Sequence, residues 1–294
     1  MWFSTPLSLG YSGYYSNIGD MRNTGVEVEL NGDIIRTKDV TWNLSLNLSW
    51  QRNRVVSLPA ETAQYSVDGH AGELYGEYYI GEGLPLYTWY MKKFAGVSEN
   101  GESLYYHTDA DGNMVASTDY SNADYYLCGS ALPTVFGGFS TTLNAYGFDL
   151  SATFNYSIGG KKYDSAYQNL MTPPHDGVTG HAVHQDLFKG WTAEAPNPEI
   201  PRWQYNDLYT SNFCDRFLTD ASYLSLKNIT LGYTLPKNLT RRFYVDNLRV
   251  YFTCENVYYW SHRKGFDPRV DMGYGSYGGI PPMRSFTGGL QIRF

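Results

Sequence analysis

The sequence has few charged residues, few cysteines and no long apolar run. Asp, Glu, Lys and Arg make up 17% of the 294 residues, less than the quarter usual in soluble domains. No stretch approaches the ~18 consecutive apolar residues that a membrane-spanning helix needs. The cysteines, Cys128, Cys214 and Cys254, lie far apart and cannot all pair, so the sequence contains no disulfide framework.

The sequence also lacks an excess of positive charge and a recognisable leader sequence. The 22 basic residues against 29 acidic ones give a formal charge of −7, which argues against a nucleic-acid partner. Met1-Trp2-Phe3 has no basic residue and Pro6 interrupts the apolar stretch, so no signal peptide is recognisable. What is abundant is Tyr (28), Gly (30) and aromatic residues in general (17%).

Residues 40–50 (VTWNLSLNLSW) show the clearest pattern in the chain. Apolar residues alternate with small polar ones, and a period of two is the period of a β-strand. Trp42 and Trp50 are eight residues apart, roughly 20 Å along a tilted strand and close to the height of a lipid-facing band with aromatic girdles. The pattern fits a transmembrane β-barrel strand, and taken alone it fits a strand of a soluble sandwich equally well.

Eight further segments have strand character. An aromatic segment over residues 1–15, interpreted as the remnant of a strand, precedes them. Near Lys227-Asn228 the alternation of apolar and polar residues shifts by one residue, which predicts a bulge. A small hairpin, 104–107 with 114–118, is predicted inside one of the loops. With the first segment, the predicted strands cover residues 25–36, 40–50, 73–80, 87–97, 134–144, 148–158, 221–233, 247–257 and 285–294.

The predicted connections alternate between short and long. Short turns follow Arg36, Ile80, Tyr146 and Tyr233, whereas long loops follow Ser16, Trp50, Val97, Ile158 and Val257. An outer-membrane barrel has short periplasmic turns on one rim and long extracellular loops on the other. A sandwich has no reason to place all its long loops at one end, so the alternation favours the barrel.

The last strand ends the chain on an aromatic residue. Leu290, Ile292 and Phe294 alternate with polar residues and would reach the periplasmic rim. This ending resembles the C-terminal signal by which barrel proteins are handed to the outer-membrane assembly machinery.

Several segments resemble SusC-like (SusC/RagA-type) TonB-dependent outer-membrane transporters. The resemblance runs along essentially the whole chain, and the block from Thr219 to Pro236 is its most specific part. The matching segments are residues 17–27 (NIGDMRNTGVE), 137–139 (GGF), 147–150 (GFDL), 217–233 (FLTDASYLSLKNITLGY) with Leu235-Pro236, 249–251 (RVY), 265–269 (GFDPR) and 288–290 (GGL).

The resemblance implies an all-β fold, an antiparallel transmembrane β-barrel in the cell outer membrane. Residues 1–294 would be its C-terminal portion, about nine to ten strands of a roughly 22-stranded barrel. The plug, the TonB box and the early strands would precede Met1, so the chain is either a fragment of a longer protein or a truncated, non-functional product. Nine strands alone would leave two open edges, which lipid does not tolerate, so we expect no closed pore from this chain by itself.

The resemblance also implies the partners. A SusD-like surface lipoprotein would deliver a glycan or peptide, and TonB would act through the missing plug. The other implied partners are the outer-membrane barrel assembly machinery and the lipid bilayer. In the extracellular loop of residues 159–217, Trp191, Trp203 and Tyr205 are candidates for stacking on substrate, although packing within the loop explains them equally well.

The sequence contains no convincing motif for a catalytic or metal-binding site. His181 and His184, with His175 nearby, have no Asp, Glu or Cys at matching spacing, so we predict no metal site. Asp109, Asp111 and Asn113 begin like a calcium loop but lack the twelfth-position Glu, which favours a plain turn. No nucleophile elbow is present. We therefore predict neither an enzyme nor a cofactor; a soluble β-sandwich carbohydrate-binding domain and an outer-membrane barrel enzyme remain the alternatives.

The alternation also predicts which side chains face lipid. The partners between them, such as Asn43, Ser45 and Asn47, would face the lumen. The residues predicted to point outward are Val26, Val28, Leu30, Trp42, Leu44, Leu46, Leu48, Phe148, Leu150, Phe154, Leu290 and Ile292.

Overall fold

The computed structural model describes residues 2–15, 19–60, 62–177, 180, 182–270 and 282–294. Two short α-helices, α1 (Ser165–Leu170) and α2 (Lys237–Thr240), occur, and no helix among the described residues is long and apolar enough to cross a membrane. Five 3₁₀ turns lie at Leu7–Leu9, Gln185–Lys189, Leu208–Ser211, Asp215–Phe217 and Arg241–Phe243. The strands are β1 (Trp2–Ser4), β2 (Gly13–Tyr15), β3 (Asp20–Arg36), β4 (Val40–Ser57), β5 (Tyr65–Val67), β6 (His70–Tyr75), β7 (Tyr78–Gly81), β8 (Thr88–Lys92), β9 (Phe94–Val97), β10 (Ser103–Thr108), β11 (Met114–Ser117), β12 (Tyr125–Ser130), β13 (Val135–Ala145), β14 (Phe148–Ile158), β15 (Lys161–Tyr163), β16 (Leu218–Asp220), β17 (Tyr223–Thr234), β18 (Asn247–Ser261) and β19 (Ser285–Arg293).

Seven long strands form one antiparallel sheet, which we call the wall sheet. Its order is β19-β18-β17-β14-β13-β4-β3, so each strand pairs with its neighbour along the chain once the strands of the loops are set aside. The pairing of β13 with β14 is unbroken from Val135↔Ile158 to Ala145↔Phe148. The predicted bulge is confirmed, because the register of β17 against β18 shifts between Leu226 and Asn228.

Two predicted wall strands lie elsewhere. Residues 73–80 and 87–92 belong to a five-stranded sheet of order β12-β8-β7-β6-β5, and Phe94–Val97 pairs with β10 in a third sheet. The all-β barrel class is confirmed, but the predicted count of nine to ten wall strands is wrong: the described residues supply seven. Alternation predicts that a segment is a strand, whereas its hydrogen-bonding partner depends on residues distant in sequence. The hairpin predicted in the loop is confirmed as β10 and β11, and the remnant at residues 1–15 forms the small β1–β2 hairpin.

The connections of the wall sheet occupy its two rims as predicted, but the predicted short turn after Ile80 and long loop after Val97 are wrong as rim connections, because both lie between strands of the other sheets. The turns at residues 37–39, 146–147 and 235–246 share one end, where Tyr146 N–H donates to Asp39 C=O (3.3 Å), and we call this end the turn rim. Residues 58–134, 159–222 and 262–284 leave from the other end, the long-loop rim. Ser16, the predicted start of a further loop, lies outside the described residues. β19 ends at the turn rim, because Arg293 pairs with Asn247.

One face of the wall sheet is apolar. The register aligns Leu30, Leu46, Phe139, Phe154, Leu226 and Tyr258 in one row across six strands. The rows two residues away on each side consist of apolar and aromatic residues and glycines, apart from Thr141. All twelve residues predicted to face lipid lie on this side and are exposed or half-buried, with Leu30 59% exposed. We call this side of the wall sheet the outer face.

The opposite, inner face is polar. The row beside the one just described contains Asn31, Ser45, Ser140, Thr153 and Asn228. Near the turn rim Arg249 Nε donates to Asp149 Oδ1 (2.9 Å), and this ion pair passes over Gly232, where a Cβ atom would overlap the Asp149 carboxylate. A sheet with one apolar and one polar face matches a barrel wall between lipid and a wet lumen.

Candidate functional site

The packed core of the chain lies beyond the wall sheet, in the two longest loops. Residues 58–134 and 159–222, which we call the loop module, bury an aromatic cluster that includes Trp89, Tyr105, Tyr163 and Phe217. Trp89 is fully buried, and its indole N–H donates to the Lys161 carbonyl (2.9 Å) across the two loops. Burial of several large aromatic side chains, each worth on the order of 2 kcal/mol, fixes the loops relative to each other.

Charged groups add further connections inside the module. The Asp215 carboxylate accepts the Phe94 N–H (2.8 Å), and burial raises the pKa of this carboxyl. Arg216 is partly buried next to it, donates to the Thr210 carbonyl (3.0 Å) and lies 5.2 Å from the Phe94 ring. These contacts again join the first long loop to the second.

The third loop joins the same body. Arg263 pairs with the buried carboxylate of Asp164 (3.2 Å) and stacks 3.8 Å above the Tyr167 ring. Further along, Arg269 donates to Ser225 Oγ (2.8 Å) and lies 4.5 Å from the Tyr259 ring. Ser225 and Tyr259 are paired on the inner face, so Arg269 lies over the polar side of the wall sheet rather than over the lipid side.

A polar cleft of about 670 Å³ opens in the loop module. Its size falls in the usual range of ligand sites. Ser103 and Asn212 are among its lining residues, and their buried Oγ and Nδ2 atoms lie near the buried Tyr105 hydroxyl. The lining residues are Glu102, Ser103, Thr118, Asp119, Tyr120, Ser121, Arg202, Gln204, Tyr205, Asn206, Asp207 and Asn212.

The cation that lines the cleft is engaged by the protein itself. Arg202 lies 3.5 Å from a Glu102 oxygen and 3.7 Å from an Asp207 oxygen. Its Nη1 also donates to the Asn100 carbonyl (3.0 Å). Arg202 therefore holds the second loop against the first through Nη1 and its two carboxylate contacts, while its buried Nε has no hydrogen-bond partner among the described residues.

The three aromatic residues predicted to contact substrate are not brought together at one site. Tyr205 lines the cleft, half exposed, and its hydroxyl donates to Asp176 Oδ1 (2.7 Å). Trp203 is also exposed but is not among the lining residues. Trp191 lies in a separate recess of about 640 Å³ with residues 97–100, packed against the turn at Gly101. The cleft residues contributed by the first loop, Glu102 and Asp119 among them, carry no sequence signal that would have found them.

The contact between Trp191 and Gly101 gives a prediction. Gly101 has φ +81°, and a Cβ there would overlap the Trp191 ring and lie 2.9 Å from the Arg202 Cβ. We expect Gly101→Ala to destabilise the loop module by about 1–3 kcal/mol beyond the cost of the backbone conformation, because the indole must move. Native-state proteolysis measures this free energy of opening.

Gly112→Ala is the matched control for Gly101→Ala. Gly112 has nearly the same φ, +82°, but nothing lies within 4 Å of its Cβ position. Equal protease sensitivity of the two variants would show that the Trp191 contact does not stabilise the module.

The candidate metal and calcium residues serve local structure. His184 Nδ1 accepts the Asp186 N–H (3.1 Å), and His175 Nδ1 lies 3.3 Å from the Pro173 carbonyl; His181 lies outside the described residues. The part of the chain that the structure describes contains no group of three potential metal ligands. In the turn of the β10–β11 hairpin, Asp109 Oδ1 accepts hydrogen bonds from the N–H groups of Asp111 (3.0 Å) and Asn113 (2.8 Å). The bond from Asn113 is the main reason why the pKa of Asp109 is lowered.

The three cysteines are buried and are not expected to be reactive. Burial raises the pKa of Cys128 to about 11 and that of Cys214 to about 12, so both thiols of the loop module are protonated at neutral pH. The thiolate is the reactive form, and these side chains act as core residues. Cys254 is a buried residue of β18.

The chain terminus is accessible at the turn rim. Leu290 and Ile292 are 66% and 49% exposed on the outer face, and Phe294, which follows β19, is 88% exposed. That they are read by the assembly machinery stays a prediction. We expect Phe294→Ala to lower the amount of folded protein in the outer membrane severalfold, because the terminal ring is free to be recognised.

The test of the terminal residue needs a second exposed ring. Phe243, 74% exposed in the 235–246 turn at the same rim, supplies it through Phe243→Ala. Quantitative immunoblotting of outer-membrane fractions measures both variants. An equal loss in the two would mean that Phe294 has no special part in assembly.

Comparison with known proteins places this geometry among membrane receptors. No protein-family model matches the chain. It is 26% identical over 315 residues to the TonB-dependent receptor P3 of Formosa agariphila, covering 98% of the chain and 30% of that protein. It is 26% identical over 292 residues to the TonB-dependent receptor SusC of Bacteroides thetaiotaomicron, covering 95% of the chain and 27% of SusC. The chain thus spans about three tenths of the length of these curated relatives.

Solved structures agree with the sequence relatives. The RagAB peptide transporter superposes with a TM-score of 0.77 at 27% identity, covering 98% of the chain and 31% of the solved chain. The RagAB peptide importer in its closed-closed state superposes with a TM-score of 0.79 at 27% identity and the same coverage. These similarities extend over the wall sheet and the loop module together.

Proposed function

We propose, on the premise that the chain is part of a SusC-like TonB-dependent outer-membrane transporter, that it forms wall, lumen lining and extracellular mouth of a nutrient importer. The recognition made from the sequence motifs is confirmed by the relatives, which are outer-membrane β-barrel proteins. Those relatives are receptors and transporters rather than enzymes, which confirms the corresponding prediction. The outer face of the wall sheet then meets lipid, and the cell outer membrane is its location.

The single observation that carries the proposal is the arrangement of the wall sheet. One face is apolar along seven strands, the other is polar, and every described long loop leaves from the same rim. This is the construction of a barrel that encloses a wet lumen and presents its loops to the outside. The proposal assigns residues 1–294 to the C-terminal portion of the barrel, with plug, TonB box and early strands supplied by the rest of the transporter.

The proposed partners follow from the same assignment. A SusD-like lipoprotein would sit on the loop module and deliver substrate to the mouth, and TonB would act through the plug. The loop module suits a docking platform because its two loops share a buried core and the third loop is joined to it by contacts such as Arg263–Asp164 (3.2 Å). The substrate is proposed to be an oligosaccharide or a peptide, with Tyr205, Trp203 and Trp191 as candidate contacts.

Uptake by intact cells tests the proposal. Deletion of the gene that encodes the chain should abolish uptake of at least one labelled oligosaccharide or peptide mixture, and expression of the wild-type gene should restore it. Collapse of the inner-membrane proton gradient should stop the same uptake, because TonB draws on that gradient. Unchanged uptake after deletion, for every mixture tried, would contradict the proposal.

A further inference from the structure

We propose that a groove on the outer face of the wall sheet binds an acyl chain of a lipid in the outer leaflet of the membrane. The inference goes beyond the proposed import function, because it depends on the outer-membrane location of the barrel and not on what is imported. The groove has a volume of about 450 Å³ and lies next to the long-loop rim. Its apolar and aromatic lining comes from Phe139, Tyr156, Ile158, Leu224 and Trp260.

Tyr156 borders the groove because its ring is directed away from the middle of it. In the register Tyr156 lies between Gly137 of β13 and Leu224 of β17. Its hydroxyl donates to the Asn47 carbonyl of β4 (3.1 Å), so the ring crosses β13 and points away from β17. Gly137 leaves room for the ring, since a Cβ atom there would lie only 3.0 Å from the hydroxyl. The Tyr156 ring therefore does not cover Leu224.

Trp260 borders the groove on the opposite side. It is the partner of Leu224 on β18, is 49% exposed, and contacts the Tyr258 ring edge-on at 4.9 Å. Phe139 lies one row nearer the turn rim, and Ile158, 54% exposed, lies one row nearer the long-loop rim. Three successive rows cover roughly 13 Å along the strands. The groove is thus elongated along β17, with Leu224 as its floor.

The position of the groove indicates its occupant. The outer face meets lipid, and the groove is a continuation of that interface. Its lining belongs to the middle of the wall sheet and includes no residue of the edge strands β3 and β19, so strands that complete the barrel would not cover it. The long loops of such a barrel are extracellular, which places the groove at the depth of the outer leaflet. Its volume falls in the usual range of ligand sites.

Packing, rather than removal of apolar surface from water, would hold the chain in place. Lipid tails are as apolar as leucine, so apolar side chains in a bilayer have no hydrophobic reason to prefer one tail over another. A tail that lies in the groove contacts protein on its floor and on both sides, whereas an unfilled groove loses those dispersion contacts. We therefore expect a lipid at this position to leave more slowly than the lipids around the rest of the barrel.

Native mass spectrometry of the purified, complete transporter tests the inference by counting the lipids that stay bound after release from detergent. Leu224→Trp fills the floor of the groove with a larger apolar side chain that still faces lipid. We expect the wild-type transporter to retain a lipid that the Leu224→Trp variant has lost.

Leu231→Trp is the matched control for Leu224→Trp. Leu231 lies on the same strand and the same face, is 51% exposed, and is not among the lining residues of the groove. This variant should retain the lipid. Ile158→Trp, which obstructs the end of the groove next to the long-loop rim, is a second test and should lose it. Heat-modifiable migration on a gel verifies that each variant is folded.

The possible outcomes separate this inference from the proposed function. The absence of a retained lipid from the wild type, equal lipid content in the wild type and both groove variants, or the same loss in Leu231→Trp would each overturn the inference. A bound polypeptide that the groove variants release in place of a lipid would overturn it too. Gene-dependent uptake would stand in all these cases, whereas uptake that does not depend on the gene would contradict the proposed function and leave the lipid count as it is.

Discussion

Refolded alone into lipid bilayers, the 294-residue chain is expected to form no closed conducting pore. The wall sheet is open, with β3 and β19 at its two edges, and all 17 residues of β3 are exposed. Each unpaired N–H or C=O group in hydrocarbon costs several kcal/mol, and a long edge strand presents many of them. Closure of seven strands on themselves would require a shear and curvature different from those of the much wider barrel that the sequence resembles.

Two measurements check the absence of a pore. Heat-modifiable migration on a gel reports a closed, detergent-resistant barrel, and single-channel recording reports conductance. We expect neither from the refolded chain, and expect aggregation instead, whereas a small complete eight-stranded barrel refolded in parallel should show the mobility shift. A mobility shift together with discrete conductance steps from the chain would contradict the prediction.

The second large effect is expected from a single charge on the outer face. Leu46 lies in the apolar row of the outer face, between Leu30 and Phe139. In the complete transporter Leu46→Arg should destabilise the inserted barrel by about 2–4 kcal/mol, the cost of an arginine near the bilayer midplane. The amount of heat-modifiable protein in outer-membrane fractions, followed over temperature, measures the loss.

The neighbouring residue supplies the matched control. Ser45 is on the same strand and at nearly the same depth, but faces the inner side between Asn31 and Ser140. Ser45→Arg should be tolerated, because the guanidinium would reach water in the lumen. If Ser45→Arg proved as damaging as Leu46→Arg, or if both were silent, the assignment of the outer face to lipid would be wrong.

The wall strands were predictable because each of their residues meets one of two different media. Along residues 40–50 the alternation of apolar and small polar residues is strict, and the same holds for residues 148–158. A slip of one residue would exchange the lipid and water faces, so the register is encoded locally and strongly. The turn at Tyr146-Gly147 and the bulge near Lys227 were also predictable, because the alternation stops at the turn and changes phase at the bulge.

The loop module was not predictable in the same way. Residues 73–80 and 87–97 have strand patterns as good as those of the wall, yet they pair in sheets that no part of the pattern specifies. Trp191 and Tyr205, grouped by their nearness in sequence, end in separate recesses, while Glu102 and Asp119 reach the cleft from the other loop.

The sequence by itself therefore determined the barrel class and, for the strands that do form the wall sheet, the faces they present and the rim that each of their connections occupies. These features depend on contacts with solvent or lipid and on strands adjacent along the chain. The tertiary structure alone decided that seven strands form the wall, that the loops share an aromatic core around Trp89, and that the core leaves an acidic cleft open. Such features depend on contacts between groups about a hundred residues apart, such as the Asn100 carbonyl and the Arg202 side chain, and no local period encodes which of them will meet.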